Sequence, residues 1–162
     1  MLSDIMLAIN LASRVHTGQV RFYTQEPYVN HVIRVASHPR VVERGPQAVC
    51  IAILHDAIED APDPRQVEEY IKNTFSDHIY ETCLLLTHLN GTYASYKEKI
   101  LNSGNIDALL IKASDSEDNS VIEPGMSDKH LKRCEIYKEN VRVYLAKALE
   151  LKLKRVKNEI LK

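Results

Sequence analysis

A histidine and an aspartate stand side by side at His55 and Asp56, and two further acids follow at Glu59 and Asp60. The apolar residues of the segment 46–59 recur at the spacing of a helix. Because residues three and four apart share a helix face, this spacing would bring one imidazole and three carboxylates together. Carboxylates on a half-buried face are costly unless a positive group lies among them. A divalent metal is the simplest group that fits.

Two more residues of the same ligand chemistry are His31 and Asp115. His31 opens a short apolar segment, where a structural histidine is the somewhat commoner alternative, and Asp115 follows an apolar run, where capping a helix is an equal alternative. With His55 and Asp56 they would supply two nitrogens and two carboxylates, a set that suits Mn²⁺, Fe²⁺, Co²⁺ or Zn²⁺. The residue types do not choose among these metals.

The composition limits the elements that can position these side chains. The chain has 162 residues, of which 44% are apolar, so it predicts one globular domain over residues 1–162. Five glycines and six prolines are too few for a turn-rich β fold, which favours an all-α fold. No apolar run is long enough to cross a membrane. Three widely spaced cysteines without a CxxC pair indicate reduced thiols in a cytoplasmic protein and argue against a thiolate zinc site.

The apolar periodicity predicts a succession of helices joined by polar loops. Their expected bounds are 3–16, 28–38, 46–59, 64–74, 76–87, 93–102, 105–115 and 127–158. Residues 140–162 carry seven basic and two acidic side chains. Aromatic residues and glycines do not alternate with these charges as in nucleic-acid binding segments, so we expect a solvated helix surface and no nucleic-acid partner.

Four motifs make a family resemblance specific. His-Thr-Gly-Gln-Val-Arg at 16–21, Glu-Pro-Tyr-Val-Asn-His at 26–31, Leu-His-Asp-Ala-Ile-Glu-Asp at 54–60 and Ile-Lys-Ala-Ser-Asp-Ser-Glu-Asp-Asn at 111–119 occur in this order. The pattern resembles the HD-domain superfamily. More narrowly, it is similar to the hydrolase domain of RelA/SpoT-type alarmone enzymes and to their small stand-alone relatives, the metazoan SpoT homologue class.

This resemblance implies an all-α HD-domain helical bundle that holds one divalent metal, typically Mn²⁺. The implied metal ligands are His31, His55, Asp56 and Asp115. The implied reaction removes the 3′-pyrophosphate of the nucleotide (p)ppGpp by means of a metal-activated water. Glu59 and Asp60 match the acidic pair that orients and activates this water in the family.

The resemblance also implies contacts to the nucleotide. Arg21 matches an arginine that packs on the base, and Asn119 matches a residue that holds the ribose. Lys112 matches a lysine near the site, and Tyr137 matches a tyrosine that contacts the nucleotide. Without the resemblance, Arg21 could equally be a solvated loop charge and Asn119 a turn residue.

Departures from the family pattern leave the substrate open. Phe22 stands where the family usually has a basic residue, and Ser116, followed by Glu117 and Asp118, stands where it usually has arginine. Two positive groups would thus be missing near a bound polyphosphate. An HD-type phosphatase of a nucleoside monophosphate or NADPH is one alternative, and a non-catalytic nucleotide-binding HD protein is another. The intact ligand and acidic-pair residues argue against the latter, and the sequence does not indicate an oligomeric state.

Overall fold

The computed structural model describes residues 2–161, and helices are the regular elements of that part of the chain. The all-α prediction is therefore confirmed. An isolated antiparallel bridge joins Val20 to Pro27 in the loop after the first helix. None of the described helices has the length and apolar content that a membrane span requires. The helices are α1 (Leu2–Val15), α2 (Val29–Ser37), α3 (Pro39–Val42), α4 (Pro46–Leu54), α5 (Pro64–Thr74), α6 (Asp77–Leu86), α7 (Tyr93–Asn102), α8 (Ile106–Asn119) and α9 (Asp128–Ile160).

Two helices, α4 and α8, form the centre of the molecule. From Cys50 to Leu54 every residue of α4 is buried, and α8 is buried without interruption from Ile106 to Ser116. A helix whose consecutive residues are all buried must be covered by neighbouring elements on every side. Helices α1, α2, α3 and α6 pack around α4, and the long α9 lies along α8. The candidate ligands His55, Asp56 and Asp115 therefore belong to, or directly follow, the most rigidly packed elements.

The helix expected at 46–59 ends earlier, at Leu54, so its prediction was too long. Residues 55–59 form turns instead. The cause is local: Nδ1–H of His55 donates to the carbonyl oxygen of Ala52 at 2.7 Å. A continued helix would offer that carbonyl to the backbone N–H of Asp56. His55, Asp56 and Glu59 consequently lie in a sequence of turns and not on one helix face.

Helix α8, in contrast to α4, extends further than the sequence predicted. A polar loop was expected from residue 116, but the helix continues to Asn119. The side chain of Asn105 accepts the backbone N–H of Ala108 and begins this helix. Its extra turn keeps Asp115 and Asn119 on one face, and Asn119 Nδ2 donates to Asp115 Oδ1 at 2.6 Å.

The bounds of α5 and α7 agree with the expected ones, whereas the short α3 was not predicted. The sequence His38-Pro39 indicated only a helix end. Proline is also favoured in the first helical turn, and the ring of His38 accepts the backbone N–H of Arg40.

The three cysteines, Cys50, Cys83 and Cys134, are buried and form no disulfide bond among the described residues, as expected for reduced thiols.

Candidate metal centre and adjoining cavity

Helix α2, the turns after α4, and helix α8 bring four potential ligands to one point. His31, His55 and Asp56 offer ligand atoms that all lie within 4.8 Å of one another. Nε2 of His55 is 3.0 Å from Asp56 Oδ2. Asp115 Oδ1 lies 3.3 Å from Nε2 of His31 and 3.8 Å from Nε2 of His55. All four ligands expected from the motifs are thus neighbours, although 84 positions separate the first from the last.

The two imidazoles present their free nitrogens to this point. Nε2 of His31 and Nε2 of His55 are buried and have no hydrogen-bond partner among the described residues. Their other ring nitrogens are fixed, because Nδ1–H of His55 donates to the Ala52 carbonyl and Nδ1–H of His31 donates to Asp118 Oδ2 at 2.6 Å. Metal-binding histidines are typically held in this way through their second nitrogen. Two oriented lone pairs and two carboxylates fit a divalent metal.

The electrostatics of the four side chains agree with that fit. Burial opposes protonation of His55, but the carboxylates of Asp56 and Asp115 together outweigh burial and raise the pKa of the ring to about 10. Burial would also raise the pKa of Asp115, yet the neighbouring Lys112 ammonium and the two histidines hold it well below its usual range. The carboxylates therefore require positive charge at this position, which a metal ion supplies without a proton.

Further side chains hold the carboxylates in place. Lys112 Nζ donates to Asp115 Oδ2 at 2.6 Å, on the oxygen that does not face the histidines. The hydroxyl of Tyr28 donates to Asp56 Oδ2 at 2.7 Å. Sequence reasoning missed Tyr28. The sequence could have indicated this residue, because Tyr28 lies three positions before His31 and thus within one helical turn of a proposed ligand.

The two acids of the Glu59-Asp60 pair have different surroundings. Glu59 lines the adjoining cavity, and its Oε2 accepts the backbone N–H of His88 at 2.9 Å. Partial desolvation raises the pKa of the Glu59 carboxyl above its ordinary value. Asp60 does not line the cavity, and its Oδ2 accepts from Gln19 Nε2 at 3.0 Å. Gln19 in turn accepts from Nδ1 of the buried His16 at 2.7 Å. Of the pair, Glu59 alone is placed beside space for a substrate.

A cavity of about 790 Å³ opens next to the four ligands, within the size range of small-molecule sites. The four residues expected to contact substrate, Arg21, Lys112, Asn119 and Tyr137, all line it. Lys112 Nζ lies 5.6 Å from the ring centre of Tyr96, and the guanidinium of Arg133 lies 5.7 Å from that of Tyr137. The structure therefore brings every residue of the sequence-based site to this region, with Asp60 one layer behind it.

Arginines neutralise Asp118, one of the two acids that follow Ser116 in the sequence. Arg21 Nη1 donates to Asp118 Oδ2 at 2.7 Å, and Arg34 Nε donates to Asp118 Oδ1 at 2.5 Å. Arg34 also donates to both carboxylate oxygens of Glu26, at 2.9 and 2.7 Å. Arg21 Nη2 further donates to Asn119 Oδ1 at 3.1 Å. These bonds tie the loop that precedes α2 to the end of α8.

The other departures from the family pattern have different consequences. Ser116 is 1% exposed and does not itself line the cavity. Glu117 points elsewhere and pairs with Arg40 at 2.6 Å. Phe22 does line the cavity and is 78% exposed, with its ring against Tyr23. Of the two positions that lack the family's positive charge, Phe22 is thus the one whose present side chain lines the cavity.

Two curated proteins are similar in sequence to this chain, and both are named guanosine-3′,5′-bis(diphosphate) 3′-pyrophosphohydrolase. The one from Haemophilus influenzae is 29% identical over 160 residues, and the one from Aquifex aeolicus is 27% identical over 164 residues. The matches cover 93% and 97% of this chain but 23% of each relative. The chain thus spans about a quarter of the length of these relatives. No family model matches it.

A solved structure has the same fold. It aligns with a TM-score of 0.71 over 94% of this chain and 96% of its own chain, at 21% identity. It is described as a metazoan ortholog of SpoT that hydrolyses ppGpp and plays a role in starvation responses. The sequence similarity to two pyrophosphohydrolases and the fold shared with a SpoT ortholog confirm that this chain resembles the RelA/SpoT-type hydrolase domain.

Proposed function

We propose that this chain is a metal-dependent phosphohydrolase that removes the 3′-pyrophosphate of (p)ppGpp, with Mn²⁺ as the metal. One observation carries the proposal: two buried, unpartnered imidazole nitrogens converge with Asp56 and Asp115 beside a nucleotide-sized cavity. The names of the two curated relatives and of the structural neighbour support the choice of substrate. His31, His55, Asp56 and Asp115 would hold the metal.

The bound metal would neutralise phosphoryl oxygens and make a water molecule more acidic. In the reaction, water oxygen forms a bond to the phosphorus next to the ribose 3′-oxygen, and the bond between that phosphorus and the 3′-oxygen breaks. Glu59 takes the proton of the attacking water, since its carboxylate lines the cavity and its raised pKa makes it a better base. The 3′-oxygen takes up a proton from solvent as it leaves, Glu59 later returns its proton to solvent, and pyrophosphate is released.

The remaining residues position the reactants. Arg21 and Asn119, joined to each other on the cavity wall, would contact the base and ribose. Asp60, held by Gln19, supports the turn that presents Glu59. Lys112 fixes Asp115 and adds positive charge near the phosphates. Tyr137, on α9, lines the cavity and would contact the nucleotide.

Phe22 favours a second candidate, hydrolysis of a nucleotide with fewer phosphates, because an exposed aromatic ring stands where a basic residue would meet a distal phosphate. A single experiment separates the two. Purified chain with added Mn²⁺ is incubated with ppGpp, pppGpp, nucleoside monophosphates and NADPH, and the products are resolved by chromatography. Release of pyrophosphate from ppGpp supports the first function. Efficient release of phosphate from another nucleotide, without action on ppGpp, rejects it in favour of the second.

A further inference from the structure

The last three turns of α9 carry an apolar stripe that faces away from the molecule. Leu149, Leu153, Val156 and Ile160 are 57%, 61%, 51% and 79% exposed. They are spaced four, three and four residues apart, which is the spacing of the interface positions in a coiled coil. At about 100° per residue, the stripe lies roughly 160° around the helix from Leu151, which packs on the core. The helix thus has two apolar faces, of which residues 2–161 cover the inner one and leave the outer one exposed.

The end of α9 also extends beyond the body of the protein. Every residue from 152 to 161 is exposed. Among the described residues, the tertiary contacts of this segment are few: Arg155 Nη2 donates to the Gly104 carbonyl oxygen at 3.4 Å. A helical segment of about three turns with so little tertiary packing is marginally stable in water. Exposed large apolar residues at interface spacing on such a segment are characteristic of a surface that another helix covers.

The charges beside the stripe indicate which helix that is. In the heptad frame, Glu150 and Lys157 occupy the e positions, and Lys152 and Glu159 occupy the g positions. Two parallel copies would place Lys152 of one against Lys157 of the other, with like charges on both sides. Two antiparallel copies, with Leu153 opposite Val156, would instead place Glu150 against Lys157 and Lys152 against Glu159. All four flanking contacts would then join opposite charges.

We infer that residues 149–160 form an antiparallel coiled coil with a second copy of this chain. The four side chains offer on the order of 400 Å² per copy, which is below the size of a stable standard interface. The association is therefore weak, with a dissociation constant in the micromolar range or above. Leu149 lies 12 residues beyond the cavity-lining Tyr137, about 18 Å along the helix, so the coil leaves the cavity free.

Sedimentation velocity from about 5 to 500 μM, where weak self-association is populated, tests the inference. The wild type should shift from monomer to dimer, and Leu153→Glu should remain monomeric with an unchanged circular dichroism spectrum. A wild type that is monomeric throughout overturns the inference. So does a monomer that co-sediments with phosphatidylserine vesicles, which would assign the stripe to a membrane surface.

Charge variants test the orientation. Lys157→Glu places two acids against each other in an antiparallel coil and should weaken dimerisation about tenfold, and adding Glu150→Lys should restore it. In a parallel coil, Lys157→Glu would strengthen the dimer, because the new carboxylate would face Lys152 of the other copy, and that result would overturn the antiparallel arrangement. Lys154→Glu is the matched control, since it makes the same charge change outside the flanking positions and should leave the dissociation constant unchanged.

Discussion

At the residue scale, the centre depends on side chains that orient the ligands as much as on the ligands themselves. Each histidine directs its Nδ1–H to an acceptor, the Ala52 carbonyl or Asp118, and so has its Nε2 lone pair available. Asp56 and Asp115 are likewise fixed by Tyr28 and by Lys112. Preorganisation of this kind reduces the entropy that ligands lose when a metal binds.

Tyr28→Phe tests one of these contacts. The variant removes the hydroxyl that donates to Asp56 Oδ2 but keeps the ring, so the fold should persist while Mn²⁺ affinity falls about tenfold. Titration with Mn²⁺ followed by electron paramagnetic resonance measures the change. Tyr80→Phe is the matched control, because its hydroxyl donates to Glu68 on the surface of α5, away from the centre. Equal affinities of the wild type and Tyr28→Phe would remove Tyr28 from the site.

The acidic pair gives a second prediction at this scale. Glu59→Gln keeps the size of the side chain but removes its basicity, and kcat should fall by roughly 10²-fold or more with little change in metal content. Asp60→Asn should cost less, because the asparagine carbonyl can still accept from Gln19. Steady-state kinetics of both variants on the substrate identified by the chromatographic screen provide the comparison. A larger loss in Asp60→Asn would assign the proton transfer to Asp60.

At the element scale, Arg34 of α2 joins the loop before α2 to the end of α8 through Glu26 and Asp118. Its hydrogen bonds hold the pKa of the Glu26 carboxyl below its ordinary value. A depressed pKa in the folded state stabilises the protein above the ordinary value of about 4.3, and this contribution is lost as the pH falls through the folded value. The connection between loop and helix is thus strongest at neutral pH.

Arg34→Gln should therefore lower the free energy of unfolding by about 1 kcal/mol at pH 7, a modest value because the Arg34 side chain is 44% exposed. The difference from the wild type should shrink, without vanishing, as the pH falls below about 4.3 and through the lowered pKa of Glu26. Asp118, whose pKa is also lowered, keeps its bond to Arg34 in the wild type over that range. Urea denaturation at several pH values measures the difference. Arg142→Gln removes a more exposed pair with Glu139 and should change stability little at any pH. A pH-independent effect of Arg34→Gln would contradict the ionic contribution of Glu26.

The helix bounds also show which structural features can be predicted from local sequence and which cannot. Pro64 after Asp63, and Thr92 before α7, are local start signals, and the observed bounds follow them. The end of α4 depends on the His55 side chain competing with the backbone for one carbonyl, which periodicity does not reveal. The order of the family motifs predicted that the four ligands form one site. The contact between Arg21 and Asp118, 97 positions apart, could not be predicted from local sequence patterns.

At the scale of the whole molecule, the cavity lining has more negative than positive charge. Four lining residues are formally positive and six are formally negative, which gives a formal charge of −2. The positive residues are Arg21, Arg34, Lys112 and Arg133, and the negative ones are Glu26, Asp56, Glu59, Asp115, Asp118 and Glu123. A divalent cation would bring this balance to zero. We therefore expect the proposed nucleotide substrate to bind more tightly after the metal has bound.

The same centre links α2, the turns after α4, and α8, so metal should stabilise the whole fold. At a free Mn²⁺ concentration 100 times the dissociation constant, the gain is about 2.7 kcal/mol. For a chain of this size, that gain corresponds to a rise in Tm of about 5 to 10 °C. Calorimetry of chelated and Mn²⁺-loaded protein measures the shift, and Asp115→Ala should abolish it. An equal Tm with and without Mn²⁺ would exclude a metal that bridges these elements.

The distance in sequence between His31 and Asp115 has a consequence for synthesis of the protein. At about 5 to 20 residues per second, a ribosome needs roughly 4 to 17 s to add the 84 positions between them. During this interval the nascent chain displays histidines and acids but cannot assemble all four ligands. A metal that requires all four ligands can therefore bind only after Asp115 has joined the fold, so we expect the geometry of the finished centre to govern its binding.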